Sequence, residues 1–135
     1  ANRKDFNTDN IFSQLNYNIR VEVSTFKEYV DFIARYSDSV IFSIVDNTLY
    51  LTSDDMQDDG GQGARVKFLV GDIECSECQQ SKYDSQTVNW FISKLPNHVQ
   101  YINVYFSPDF PICLEYTTNH DLMTVRHFIA PRISQ

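Results

Sequence analysis

Cys75-Ser76-Glu77-Cys78 is a stretch whose residue types and spacing suggest chemistry. Two thiols three positions apart can form half of a zinc site or a redox pair. Zinc needs four ligands. The remaining candidates, Cys113, His98, His120 and His127, follow no regular spacing, and no second C-x-x-C occurs. A thioredoxin-type pair also needs a strand running into a helix directly after the motif, and that pattern is missing. The reading is two surface thiols and no metal. Asp54, Asp55, Asp58 and Asp59, followed by Gly60-Gly61, invite a calcium site or a catalytic carboxylate pair. They lack the alternating ligands and distal Glu of an EF-hand loop, so a polar turn is expected. No His stands near a Ser or Cys in a nucleophile motif, and no Gly-rich loop opens a helix for phosphate. A non-enzyme without a cofactor is expected.

The chain has 135 residues, enough to bury a real core in one domain. At 42% hydrophobic and 21% charged it has an ordinary globular composition. Its eight Tyr and ten Phe favour a sheet-rich fold. The net charge of −7 argues against a surface that grips phosphates throughout, though a local basic stripe is compatible with it. Three cysteines are an odd set, which suggests free thiols in a reducing compartment. No apolar run approaches the ~20 residues of a membrane helix, and no targeting segment is visible.

The elements that must position any site follow from periodicity. Residues 1–16 are polar and Asn-rich, with isolated Phe6, Ile11, Phe12 and Leu15, and read as an extended tail or linker. Ile19, Val21 and Val23 alternate with polar neighbours, a strand over 18–23. Ser24 is a suitable helix cap, and Phe26, Tyr29, Val30 and Ile33 form one apolar stripe behind it. Residues 40–45 and 48–52 flank Asp46-Asn47 as a hairpin. A loop over 53–63 leads to a strand over 64–70, and 72–80 is a further short strand or an excursion. Asp84 or Ser85 caps a second helix carrying Val88, Phe91, Ile92 and Leu95, ended by Pro96-Asn97. Strands over 98–106, 112–118 and 122–129 complete the chain. Two helices against one antiparallel sheet is an α+β arrangement, and no internal repeat is visible.

The last third reads Trp90-Phe91, Lys94, Phe110-Pro111-Ile112-Cys113-Leu114-Glu115-Tyr116 and Phe128-Ile129-Ala130-Pro131-Arg132-Ile133. Its order and spacing resemble the C-terminal half of a DNA sliding clamp of the proliferating cell nuclear antigen (PCNA) family. The resemblance covers about residues 17–133 and implies the DNA-clamp, or processivity, fold. Residues 1–16 would be a remnant of the interdomain linker and 17–135 the C-terminal clamp domain. In that family two such domains make a subunit and three subunits close a ring around duplex DNA, helices inside. This chain would be half of a longer protein or a one-domain relative. The family's acidic tail is absent. The implied role is a processivity factor in DNA replication and repair that docks DNA polymerase and other proteins bearing the clamp-docking motif. A nuclear location is implied, and a viral clamp acting elsewhere would read the same. The alternatives are a subunit of a heteromeric checkpoint-type clamp, or a clamp-fold protein-binding module without DNA.

The resemblance also implies three sites. A partner-peptide pocket would be lined by Pro111, Phe128 and Ile129, with Ala130, Pro131 and Arg132 offering backbone and Ile11, Phe12 or Leu15 closing the wall. Phe128 stands where the family usually has Tyr. A DNA-facing surface would use Lys27 and Arg35 on the first helix and Lys94 on the second, with Arg20 a contributor elsewhere. Glu28 and Asp31 oppose these charges on the first helix. A subunit-interface edge would be the strand Ala64, Arg65, Val66, Lys67, Phe68, Leu69, Val70, which wants a partner strand.

Overall fold

The computed structural model describes residues 8–45, 48–53, 66–69, 79–118 and 123–132. A short helix, α1 (Thr8–Ser13), precedes strand β1 (Tyr17–Glu22) and helix α2 (Val23–Tyr36). Strands β2 (Ser39–Val45), β3 (Thr48–Ser53) and β4 (Val66–Leu69) follow. Then come β5 (Gln79–Asp84), helix α3 (Ser85–Ser93), β6 (Tyr101–Phe106), β7 (Ile112–Thr117) and β8 (Thr124–Ile129). The expected α+β class holds, but the strands form two four-stranded antiparallel sheets instead of one, ordered β1-β6-β7-β8 and β4-β3-β2-β5.

This order contains a repeat that the sequence does not display. Each half runs strand, helix, three strands, and each half lends its first strand to the other's sheet. Thus β1 pairs with β6, Val21 facing Ile102, and β5 pairs with β2, Tyr83 facing Val40. The exchange is matched at single hydrogen bonds. The first residue of α2, Val23, donates its N–H to the Gln100 carbonyl at 2.8 Å, and the first residue of α3, Ser85, donates to the Asp38 carbonyl at 2.9 Å.

Alternation decides which side chains enter the core. Ile19, Val21, Ile102, Val104, Ile112 and Leu114 of one sheet meet Val40, Phe42, Ile44, Leu49, Leu51 and Tyr83 of the other. Tyr83 joins the layers: its ring lies edge-on to Phe42 at 5.6 Å and to Phe106 at 6.5 Å, and its hydroxyl donates to the Phe110 carbonyl at 2.8 Å. Burial raises the Tyr83 pKa, so the phenol stays protonated. The apolar stripe of α2 (Phe26, Val30, Ile33, Ala34) and that of α3 (Val88, Phe91, Ile92) close over the core.

Several boundaries differ from the sequence expectation. β1 runs straight into α2, so Glu22, not Ser24, occupies the cap position; its carboxylate accepts from the hydroxyls of Ser24 (2.6 Å) and Thr25 (3.1 Å) and from no backbone N–H. Asp84 caps α3 as expected, accepting from the Thr87 N–H at 2.9 Å. β5 begins at Gln79, and its buried Ser81 and Tyr83 alternate with Gln80 and Lys82, too polar a pattern to announce a strand. α3 ends at Ser93, before Leu95, and β6 begins at Tyr101 instead of 98. Residues 8–13 are helical, not extended. The Asp46-Asn47 turn, the 54–65 loop, 70–78 and 119–122 lie outside the described residues.

Candidate functional site

The outer face of the β6-β7-β8 sheet, turned away from the helices, carries the largest convergence of side chains on the sequence-derived list. In β7 the core takes Ile112 and Leu114, so Cys113 and Glu115 face outward. Register sets Phe128 beside Cys113 and Arg126 beside Glu115 on β8, and Tyr105 beside Cys113 and Asn103 beside Glu115 on β6. Glu115 is nonetheless only 7% exposed. Its Oε1 accepts from Asn103 Nδ2 and Tyr105 hydroxyl, both at 3.1 Å, and its Oε2 accepts from Arg126 Nε at 2.8 Å. That carboxylate raises the Arg126 pKa further. Burial, with the neighbouring Glu115, raises the Tyr105 pKa.

The N-terminal segment lies on this face. The Phe12 ring packs against Tyr105 at 4.7 Å and beneath the Arg126 guanidinium at 3.9 Å. Ser107 Oγ donates to the Gln14 carbonyl at 2.9 Å and accepts from the Asn16 N–H at 2.7 Å. Ile11 and Leu15 are half-buried. The structure therefore brings Phe12 and Phe128 onto one sheet face, with Pro111 half-buried at the start of β7. Tyr105, Glu115 and Arg126 were missing from the sequence-derived site. Only the register that aligns three strands shows them to be one cluster; their outward alternation was the available signal.

One of the pocket assignments needs correction. Ile129 is 5% exposed and belongs to the core, because adjacent strand residues face opposite ways and Phe128 faces out. The Arg132 N–H is already donated to the Lys82 carbonyl at 2.7 Å, and Pro131 has none, so the backbone these two residues could offer a peptide is their carbonyls. The Arg132 side chain also turns inward to the fold: it donates to the Asp38 carbonyl at 2.8 Å and to Ser39 Oγ at 2.7 Å, tying the end of the chain to the α2–β2 connection. Ala130 is exposed, and Ile133 lies outside the described residues.

The helix pair forms the opposite side of the domain. Gln86 at the start of α3 donates to the Ala34 carbonyl near the end of α2 at 2.8 Å, so the helices run antiparallel. Lys27 then lies in a groove of about 520 Å³ between the start of α2 and the end of α3, with Ser24, Ser93 and Asn97 among its lining residues. Lys94 is exposed at the same end. Arg35 lies at the other end and is held by Asp31 at 2.8 Å. Arg20 does not join them. It stands on the outer face of β1, opposite Ile19 and Val21, with its guanidinium 4.4 Å from the Tyr101 ring centre. Trp90, 54% exposed on α3, is beside His127, whose ring stacks on Phe91 at 5.1 Å.

β4 is an edge strand, bonded to β3 alone among the described strands. Val66, Lys67, Phe68 and Leu69 of the expected interface belong to it; Ala64, Arg65 and Val70 lie outside the described residues. Cys75, Cys78, His120 and the Asp54–Asp59 group do as well. Among the described residues no group of three or more His, Cys, Asp or Glu comes together to hold a metal, and no helix is long and apolar enough to cross a membrane.

Two sheets with exchanged first strands, closed on one side by a pair of antiparallel helices, define a DNA-clamp domain fold. The chain is similar over 85% of its length to a crystal structure of PCNA from Thermococcus kodakaraensis, with a TM-score of 0.69 and 21% identity, and has a divergent PCNA-like fold. It spans 47% of that protein's chain. No protein-family model and no curated protein sequence matches it.

Proposed function

We propose that this chain is the C-terminal domain of a DNA sliding clamp, a non-enzymatic scaffold that encircles duplex DNA and docks replication and repair proteins on its outer face. The observation that carries this reading is the meeting of the N-terminal segment with the Phe128 face of the outer sheet, next to the Pro111 and Ala130 ends. A clamp-docking peptide needs such a face: apolar anchors enter between segment and sheet. The helix pair would face DNA through Lys27 and Lys94, and β4 would pair with a strand of a neighbouring subunit in a trimeric ring. A test is titration with a labelled peptide carrying one aliphatic and two aromatic anchors, in parallel with Phe128→Ala. Micromolar binding weakened about tenfold or more by the substitution is expected for an aromatic anchor site. Absence of binding by the folded chain sinks this reading.

A second reading, a clamp-fold docking module without DNA, is favoured by the charges beside the helices. Asp31 takes up Arg35, and Glu22 and Glu28 add further negative charge. Duplex affinity measured against salt separates the two. Each phosphate contact adds about 0.9 to the slope of log K against log salt. A full ring working through Lys27 and Lys94 shows a slope that falls when both are changed to Ala. A flat line supports the docking module.

A further inference from the structure

We propose that Phe12 is a removable plug, seated in an aromatic-receiving subsite made by Tyr105 and Arg126, and that a partner's aromatic anchor enters this subsite by displacing it. The inference rests on the peptide-docking reading and deepens it.

The hydrogen bonds that frame the subsite use no atom of Phe12. Glu115 is fully engaged by Asn103, Tyr105 and Arg126, so the Arg126 guanidinium is held in one position with its face presented. A planar cation fixed beside a phenol ring is a receptor for an aromatic ring, and desolvation strengthens the attraction. Phe12 supplies that ring in cis, 3.9 Å from the guanidinium and 4.7 Å from Tyr105. The plug is attached lightly. α1 is six residues long, and the segment's remaining described polar ties are the two hydrogen bonds at Ser107. Helices this short have little stability of their own. The subsite is also next to Phe128 in the ladder, since Arg126 and Phe128 are successive outward residues of β8. A peptide with two aromatic anchors therefore finds Phe128 at one position and the seat of Phe12 at the next.

Cys113 supplies an independent reporter. It faces outward between Tyr105 and Phe128 but is 0% exposed, and burial raises its thiol pKa to about 12. If Phe12 leaves its place on Tyr105, the thiol beside that ring is expected to become more accessible.

The test uses the full chain with Cys75→Ser and Cys78→Ser, so that Cys113 is the sole thiol, and adds Phe12→Ala or Phe12→Leu. Far-ultraviolet circular dichroism and thermal melting establish that each variant is folded. Phe12→Ala is expected to speed alkylation of Cys113 by about fivefold or more, as local opening becomes easier. It is also expected to tighten the two-aromatic peptide about tenfold, because the competing closed state is removed. Phe12→Leu, which keeps bulk but loses the ring face, is expected to fall between. Peptide bound by the parent chain but no tighter, or weaker, with Phe12→Ala overturns the plug and leaves the docking reading intact, Phe12 then being a wall of the pocket. Peptide bound by neither overturns both. Equal Cys113 rates in parent and Phe12→Ala, together with unchanged peptide affinity, overturn the plug.

Discussion

The two halves of this domain share a topology while differing at the positions that matter most for packing, capping and surface. Glu22 and Asp84 occupy the same place, the last residue of the exchanged strand and the cap of the helix that follows. Asp84 reaches the Thr87 N–H; Glu22, one methylene longer, reaches only hydroxyls. Val23 and Ser85 make matching crossover bonds, while Phe42 in one half answers Val104 in the other. The outer faces diverge most. The β6-β7-β8 face collects Tyr105, Glu115 and Arg126 under the N-terminal segment. On the β2-β3-β5 face Ser43 Oγ donates to Gln80 Oε1 at 3.4 Å. Packing constrains the inner layers of both halves, and the outer surfaces are free to specialise.

The sharpest break of the pseudosymmetry is expected in the core. Phe42→Ala should cost about 3–5 kcal/mol through lost burial and an unfilled cavity. Val104→Ala, its counterpart, removes two methyl groups and should cost roughly 2 kcal/mol. Urea midpoints at constant m-value measure both; equal losses would mean that the halves pack equivalently.

The caps come next. Asp84→Ala should cost about 1 kcal/mol, since an orphan N–H of α3 loses its acceptor. Glu22→Ala should move the unfolding midpoint less, because no backbone donor is abandoned. A larger effect at Glu22 would overturn the capping difference.

The ion pair on α2 is smaller still. Arg35→Ala should change stability by about 0.3–0.5 kcal/mol, as exposed i,i+4 pairs do, and less at high salt. Asp31→Asn should do the same to stability while releasing Arg35, so a DNA-binding ring would gain affinity for duplex. Loss of affinity instead would exclude α2 from the DNA face.

The smallest effect is a pH dependence. The Ser24 and Thr25 hydroxyls hold the Glu22 carboxyl below its ordinary value of 4.5. A lowered folded-state pKa adds stability above the unfolded value and loses it as pH falls through the folded one. Stability curves of the parent and Glu22→Gln should therefore differ near neutrality and converge in acid, once the pH has fallen through the lowered folded-state value. A gap that widens in acid would reverse the assigned sign.

Much of this domain was legible in local pattern. The stripe of Phe26, Val30 and Ile33 predicted α2, the Asp84 cap predicted the start of α3, and the alternation of Ile19 with Arg20 predicted β1, although Arg20 was grouped with the DNA-facing residues and stands on the outer face instead. The polar run Gln79–Asp84 hid a strand because one Tyr carries its burial. The candidate site was legible only as separate residues. The order from Phe110 to Tyr116 and from Phe128 to Arg132 pointed to the clamp fold, but Ile129 was assigned an outward role that strand alternation denies it.

Sequence alone determined the periods, the cap of α3 and which residues of each strand share a face, because these depend on neighbours two to four positions away. Tertiary structure decided the rest. That β1 leaves its own half to pair with β6, that Glu115 is buried among Asn103, Tyr105 and Arg126, and that Phe12 finds its seat on β6 and β8 are choices of partner between distant segments. Register and burial set those choices together, and no local pattern encodes which strand lies next to which.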